Sequence, residues 1–175
     1  MGSVREGAQH EPVAYGLEAA SGWKLVLWIA YMDDASRLIT GYGSFQEATA
    51  ENAISVLEKA IGKHGGPKEI LTDRGSQFYA SEGERKEKGI SLFEAFLAKK
   101  GIRHVLCRLN HPQTNGKLER FYGVYEQKRH LFKSIDEYVR WHNEIKPHLS
   151  LDFENLETPI QAFHRKKPRV EIGGK

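Results

Sequence analysis

An apolar run of nine residues, "KLVLWIAYM" (24–32), breaks at "DDAS" and resumes as the β-branched and aromatic "RLITGYGSF" (37–45). No other stretch limits the fold of this chain so tightly. The run is about half the roughly 18 residues that would suggest a membrane span. It suits a buried strand, and with the tight turn after it residues 12–44 read as strands. A helix is expected at about 49–63, with Ala53, Ile54, Leu57, Ala60 and Ile61 on one face, Thr49 as its cap and "HGGP" as its stop. "KEILTD" (68–73) is a short strand ending at Asp73, where "RGSQF" begins a loop.

The second half continues the alternation. "SEGERKEKG" (81–89) reads as a charged, exposed insertion. "SLFEAFLAKKG" (91–101) is a helix with Leu92, Phe93, Phe96 and Leu97 inward and Gly101 as C-cap. "IRHVLCR" (102–108) is a strand. The turn signal Asn115-Gly116 then opens a helix whose Leu118, Phe121, Tyr122 and Tyr125 form an apolar stripe, with Glu119 one position off it. "SIDEYVRWHNEI" (134–145) starts with a Ser134…Glu137 capping box and stops before Pro147. An irregular tail follows, with one short helix near 158–164. Strands first, then helix–strand–helix, imply an α/β domain: a mixed sheet with helices on its faces.

At 175 residues, 39% of them hydrophobic, the chain has material for one core, over 12–165. Residues 1–11 read as a disordered lead or a cloning remnant, and 166–175 as a basic tail. The single cysteine, Cys107, allows no intrachain disulfide and no cysteine metal cluster. It reads as a small buried apolar residue and fits a reducing, cytoplasmic setting. The net charge of +3 says little alone. Its distribution says more: Lys117, Arg120, Lys128, Arg129 and Lys133 follow the turn, and "HRKKPR" (164–169) lies near the end. Such runs attract phosphates, or are simply solvated helix faces and tails.

Two carboxylates stand out by position. Asp73 lies where a strand gives way to a glycine loop, the edge at which α/β sheets bind ligands, although an Asx turn would also explain it. Glu119, taken alone, is a solvent-facing helix residue. Asp33 and Asp34 read as structural residues of a turn.

The order of motifs goes further. "DDASRLITGY", "ILTDRGSQF", "HPQTNGKLERF" and "YVRWHNEIKPHLSL…ETPIQAF" together resemble the catalytic core of DDE-type transposases and retroviral integrases, especially insertion-sequence transposases, over residues 23 to 163. The resemblance implies an RNase H-like fold with a five-stranded mixed sheet flanked by helices on both faces. It implies that Asp73 and Glu119 are the second and third members of an acidic triad, with "HPQTNG" a mobile loop before the catalytic helix. Forty-five residues separate the pair, and the charged insertion accounts for the excess over the family's short spacers. The carboxylates would hold two Mg²⁺ (or Mn²⁺) ions, roughly 3.5–4 Å apart, that serve the attacking and leaving oxygens of a phosphodiester. The implied partner is DNA, at transposon ends and target, contacted by His111, Gln113, Asn115, Lys117 and Arg120. From the residues alone, His111 reads as a strand terminator and Asn115 as turn geometry. The resemblance also implies a homodimer or higher oligomer, nucleoid-associated, with no membrane involvement. In its C-terminal signature, Trp141 reads as core and His148 as packing or polar anchoring.

One element departs from the pattern. The triad's first Asp belongs on the first strand, and the corresponding window, "AYGLEAA" (14–20), holds only Glu18. Either Glu18 fills that role, or it is a strand-edge residue and the core is truncated, divergent or inactive. The rival to a strand-transfer enzyme is therefore a non-catalytic DNA-binding or assembly module of the same fold. A nuclease that cuts without joining shares the metal site with the first reading. Residues before 12 are too few for the family's usual N-terminal helix-turn-helix, so end-specific recognition is expected to lie outside this chain.

Overall fold

The computed structural model describes residues 13–19, 22–72, 78, 89–106 and 116–166, with side chains from Leu27 onward. Three strands open the chain: β1 (Val13–Ala19), β2 (Gly22–Met32) and β3 (Ile39–Phe45), antiparallel in the order β1-β2-β3. Two more, β4 (Glu69–Thr72) and β5 (Arg103–Leu106), pair in parallel. Five strands were expected in one mixed sheet. All five are present, and among the described residues they pair as a three-stranded and a two-stranded sheet.

β2 explains why its sequence is apolar throughout. Successive side chains of a strand point to opposite faces. Ile29 and Tyr31 enter one cluster with Ala53, Val56, Leu57, Ile70, Phe93 and Leu97. Trp28, Ala30 and Met32 enter another with Leu118, Phe121, Tyr122, Tyr125, Tyr138 and Val139. The strand is thus covered on both sides, which requires a continuous apolar run in place of alternation. Helices α1 (Ala50–His64) and α2 (Leu92–Lys100) supply the first cluster, and Ile70 of β4 joins them. Helices α3 (Gly116–Lys128) and α4 (Ile135–Arg140) supply the second. The expectation of helices on both faces holds.

Helix ends follow their signals. Thr49 Oγ1 accepts from the Asn52 N–H at 3.2 Å, and α1 stops at Gly65, whose φ is 93°. Ser91 and Glu94 form a reciprocal capping box at the start of α2. At its end, Gly101 (φ 68°) donates to Ala98 O, and Ile102 to Leu97 O at 2.9 Å, the Schellman arrangement.

Three expectations need correction here. Leu92 is 53% exposed, whereas Phe93 and Leu97 are buried and Phe96 packs at the cluster's edge. The buried face of α2 is too narrow to include the helix's first residue. The Ser134…Glu137 box is half-formed: Ser134 Oγ accepts from the Glu137 N–H, but the Glu137 carboxylate accepts from the Lys133 N–H at 2.7 Å. The last long helix is also not uniform. After α4 the chain widens into a π-helical turn, Trp141–Ile145, closed by the Lys146 N–H donating to Trp141 O at 2.8 Å. The short tail helix, α5 (Pro159–Lys166), lies where it was expected, with proline at its first position.

Candidate metal and DNA site

The "DDAS" turn between β2 and β3 is held from within. Asp33 is buried, and its Oδ2 accepts from the Ser36 N–H at 2.8 Å and the Ser36 hydroxyl at 2.5 Å. Arg37 completes the turn in the left-handed region, at φ 66°. Asp34 faces outward and takes two cations: Lys117 Nζ, in a short ion pair, and Arg37 Nη1 at 3.7 Å. The first turn of α3 is therefore docked onto the β2–β3 turn. Both aspartates are structural, as expected.

The π-helical turn holds the same loop from the other side. Asn143 accepts from the Ile39 N–H at 2.9 Å and donates to Ile39 O at 3.0 Å, satisfying both backbone groups at the start of β3. His142 Nε2 lies 3.0 Å from Arg37 O, as a donor to that carbonyl. Burial holds the His142 imidazolium in check and pushes its pKa down to about 4. Trp141 is half-buried beside Phe132 and Tyr138, with the ammonium groups of Lys128 and Lys146 over its ring at 5.5 and 5.3 Å. His148 Nδ1 accepts from the Ser150 N–H at 3.2 Å, so it anchors the tail.

The parallel pair β4–β5 sets the edge at which the carboxylates were expected. Its last paired residues are Thr72 and Leu106. Asp73 is the next residue after Thr72, and the segment leading into α3 follows Leu106, so the two leave adjacent strand ends. Thr72 is fully buried, and its hydroxyl lies 2.7 Å from His104 Nε2 on the neighbouring strand. That cross-strand bond fixes the strand end just before Asp73. Sequence reasoning missed His104, whose only signal was its place in a strand parallel to "EILT".

Glu119 stands in the first turn of α3, exposed, on the side away from the buried stripe of Leu118, Phe121, Tyr122 and Tyr125. Among the described residues it has no hydrogen-bond or ion-pair partner. Lys117 and Arg120, its neighbours, line one cleft. Asp73, His111, Gln113, Asn115 and Cys107, most of the charged insertion and the side chain of Glu18 lie outside the described residues. The backbone of Glu18 is in β1, paired with Trp23 of β2. Among the described residues no three His, Cys, Asp or Glu side chains are grouped to hold a metal, and no helix is long and apolar enough to cross a membrane.

Comparison with known proteins bears on this arrangement. The family described as "Integrase core domain" matches residues 17–112, more than half of the chain. A "Putative integrase ORF3" of Spiroplasma virus SpV1-C74 is 31% identical over 143 residues, 71% of this chain; the chain spans 39% of that relative's length. An uncharacterized protein of Archaeoglobus fulgidus is 32% identical over 118 residues, covering 67% of this chain and 91% of that one. Among solved structures, the HTLV-2 integrase catalytic core domain in complex with magnesium, in its trimeric form, superposes with a TM-score of 0.67 at 18% identity, over 91% of this chain and 96% of that one. The shared fold is the α/β, RNase H-like fold of integrase cores.

Proposed function

The chain belongs to the integrase core domain family, the catalytic core of integrases and transposases, and from that premise we propose that it cuts DNA to free a 3′ end and transfers that end to target DNA, with Asp73 and Glu119 as metal ligands. The observation that carries this reading is the pairing of Thr72 with Leu106, which starts Asp73 and the approach to α3 from adjacent strand ends. The chemistry of the donors suits the task. Mg²⁺ is a hard cation that prefers oxygen, and the Glu119 carboxylate is exposed and unpaired among the described residues. Two bound ions would neutralise charge on the attacking and leaving oxygens.

The protein's own part is positioning. Asp34 holds Lys117 and so fixes the first turn of α3, which orients Glu119. Thr72 and His104 fix the strand end before Asp73. Arg120, His111, Gln113 and Asn115 contact DNA, chiefly its phosphates, a task without sequence preference. The free edge of β1 takes β4, which makes one five-stranded mixed sheet and sets Glu18 of β1 beside the strand that leads to Asp73. The chain works as a homo-oligomer on DNA, a reading supported by the trimeric form of the magnesium-bound relative.

One observation favours a second reading. β1 reads "VAYGLEA" and holds no aspartate. Unless Glu18 bridges the ions, the chain is a non-catalytic DNA-binding or assembly module. A plasmid-nicking assay in Mg²⁺ or Mn²⁺ separates the two. The parent chain is expected to nick, Asp73→Asn to stop it, and Glu18→Gln to stop it as well. Undiminished nicking by Asp73→Asn removes that residue from the mechanism. An inert parent in both metals selects the second reading.

A further inference from the structure

A cleft of about 390 Å³ lies between the β2–β3 turn, the start of α3 and the stretch that follows the π-helical turn. That volume is in the range of small-ligand pockets. Four cationic side chains line it, Arg37, Lys117, Arg120 and Lys146, together with the imidazoles of His142 and His148. Among the described residues no acidic side chain does, and Glu119 is not in the lining. The acid bound to two of the cations, Asp34, lies outside the wall.

Among the described residues, two buried polar atoms here have no hydrogen-bond partner. Arg37 Nη1 is buried, and its 3.7 Å separation from Asp34 is beyond hydrogen-bond reach. Nδ1 of His142, a residue only 3% exposed that also lines the cleft, has no partner either. An arginine held at positive φ, where glycine would be cheaper, with an unsatisfied buried donor is an unfavourable arrangement unless something binds it. The cations also repel one another. Burial and the neighbouring Lys146, Arg37 and Arg120 push His148 down to about 4, and burial with Lys128 and Arg120 lowers Lys146.

We propose that this cleft is a phosphate site that takes a backbone phosphodiester of bound DNA, outside the reach of the Glu119 carboxylate, which does not line it. The inference rests on the reading of the chain as a DNA-processing core. Two guanidinium forks and an ammonium suit the tetrahedral oxygens of a phosphate. The N-terminal residues of α3, Gly116 and Lys117, line the same space, where backbone N–H groups and the helix dipole favour an anion. A strand of DNA fits better than a free phosphate because the basic character continues beyond the cleft. Lys128 and Lys146 flank the Trp141 ring, and Arg129 and Lys133 follow α3. An anion in the cleft offsets the mutual repulsion of the cations and lets His148 take up a proton.

The test uses the full chain and a short mixed-sequence DNA duplex, with affinity measured across a salt series. Lys146→Ala is expected to bind several-fold more weakly and to reduce the magnitude of the slope of log affinity against log salt by about 0.9, one phosphate contact. In the parent, the NMR pKa of His148 is expected to rise when the duplex is added. An unchanged slope in Lys146→Ala, together with an unmoved His148, overturns the proposal. If Lys146→Ala is misfolded by circular dichroism, Lys146→Gln replaces it with the same two readouts. Pyrophosphate that moves His148 where the duplex does not overturns the assignment to DNA. A chain that fails to nick plasmid in any metal but shows the slope change loses its catalytic reading and keeps this site.

Discussion

Asp33 and Asp34 are chemically identical neighbours with different partners. Asp33 turns inward and is spent on the Ser36 backbone and hydroxyl; Asp34 turns outward and ties Arg37 and Lys117 together. Their structural role was legible because a paired acid after an apolar strand is turn chemistry. The role of His142 was not, since nothing near it in sequence says that its imidazole will be buried against Arg37 O, more than a hundred positions away. That burial makes a pH prediction. The folded pKa of about 4 lies below the ordinary 6.5, so between those values the unfolded chain binds more protons. Stability is therefore fully present above pH 6.5 and is lost as pH falls toward 4. The loss by pH 4.5 is on the order of 2 kcal/mol. His148, shifted the same way but half-exposed, adds less. Urea midpoints at pH 7.5 and 4.5 should differ accordingly in the parent, and His142→Gln should lose most of that difference. An equal difference in both chains would show that other groups carry it.

At the scale of elements, periodicity was reliable wherever one face meets one cluster. The stripe Leu118, Phe121, Tyr122 and Tyr125 is buried as a set, and α1 presents Ala53, Leu57 and Ala60 as expected. It failed where the face is narrow, at Leu92, and where helix geometry changes without a local signal, at Trp141–Ile145. The widened turn follows from tertiary demands: it is the segment in which His142 reaches Arg37 O and Asn143 reaches both backbone groups of Ile39. The contact between α1 and β3 yields a second prediction. A Cβ at Gly41 would stand 2.9 Å from Ala60 Cβ and 3.1 Å from Val56 O. Neither neighbour can swing away, so Gly41→Ala should destabilise the fold by about 1–3 kcal/mol, the range of an overpacked core. Thermal melts would register this as a lowered midpoint. A midpoint equal to the parent's would mean that α1 slides freely on β3.

Across the whole molecule, the sequence order of strands and helices was enough to anticipate an α/β domain with helices on the faces of its strands, because a strand as apolar as β2 needs cover on each side; the number of strands came from the family resemblance. The closing tail was not legible, since its ties are individual polar contacts. Glu157 accepts a two-pronged bond from Arg165 at 2.6 and 2.8 Å, and Lys166 Nζ donates to Ala35 O, returning the end of α5 to the β2–β3 turn. This turn thus meets α3, the π-helical turn and α5 at once. It couples the first turn of α3, and with it Glu119, to the rest of the domain. In the proposed mechanism Asp73 and Glu119 share a divalent metal. Mn²⁺ binding to the full chain, followed by water-proton relaxation, tests it without requiring activity. The parent should bind Mn²⁺, Asp73→Asn and Glu119→Gln should each lose most of that binding, and Asp34→Asn should keep it. Mn²⁺ bound equally well by the parent and by Asp73→Asn would remove Asp73 from the metal site.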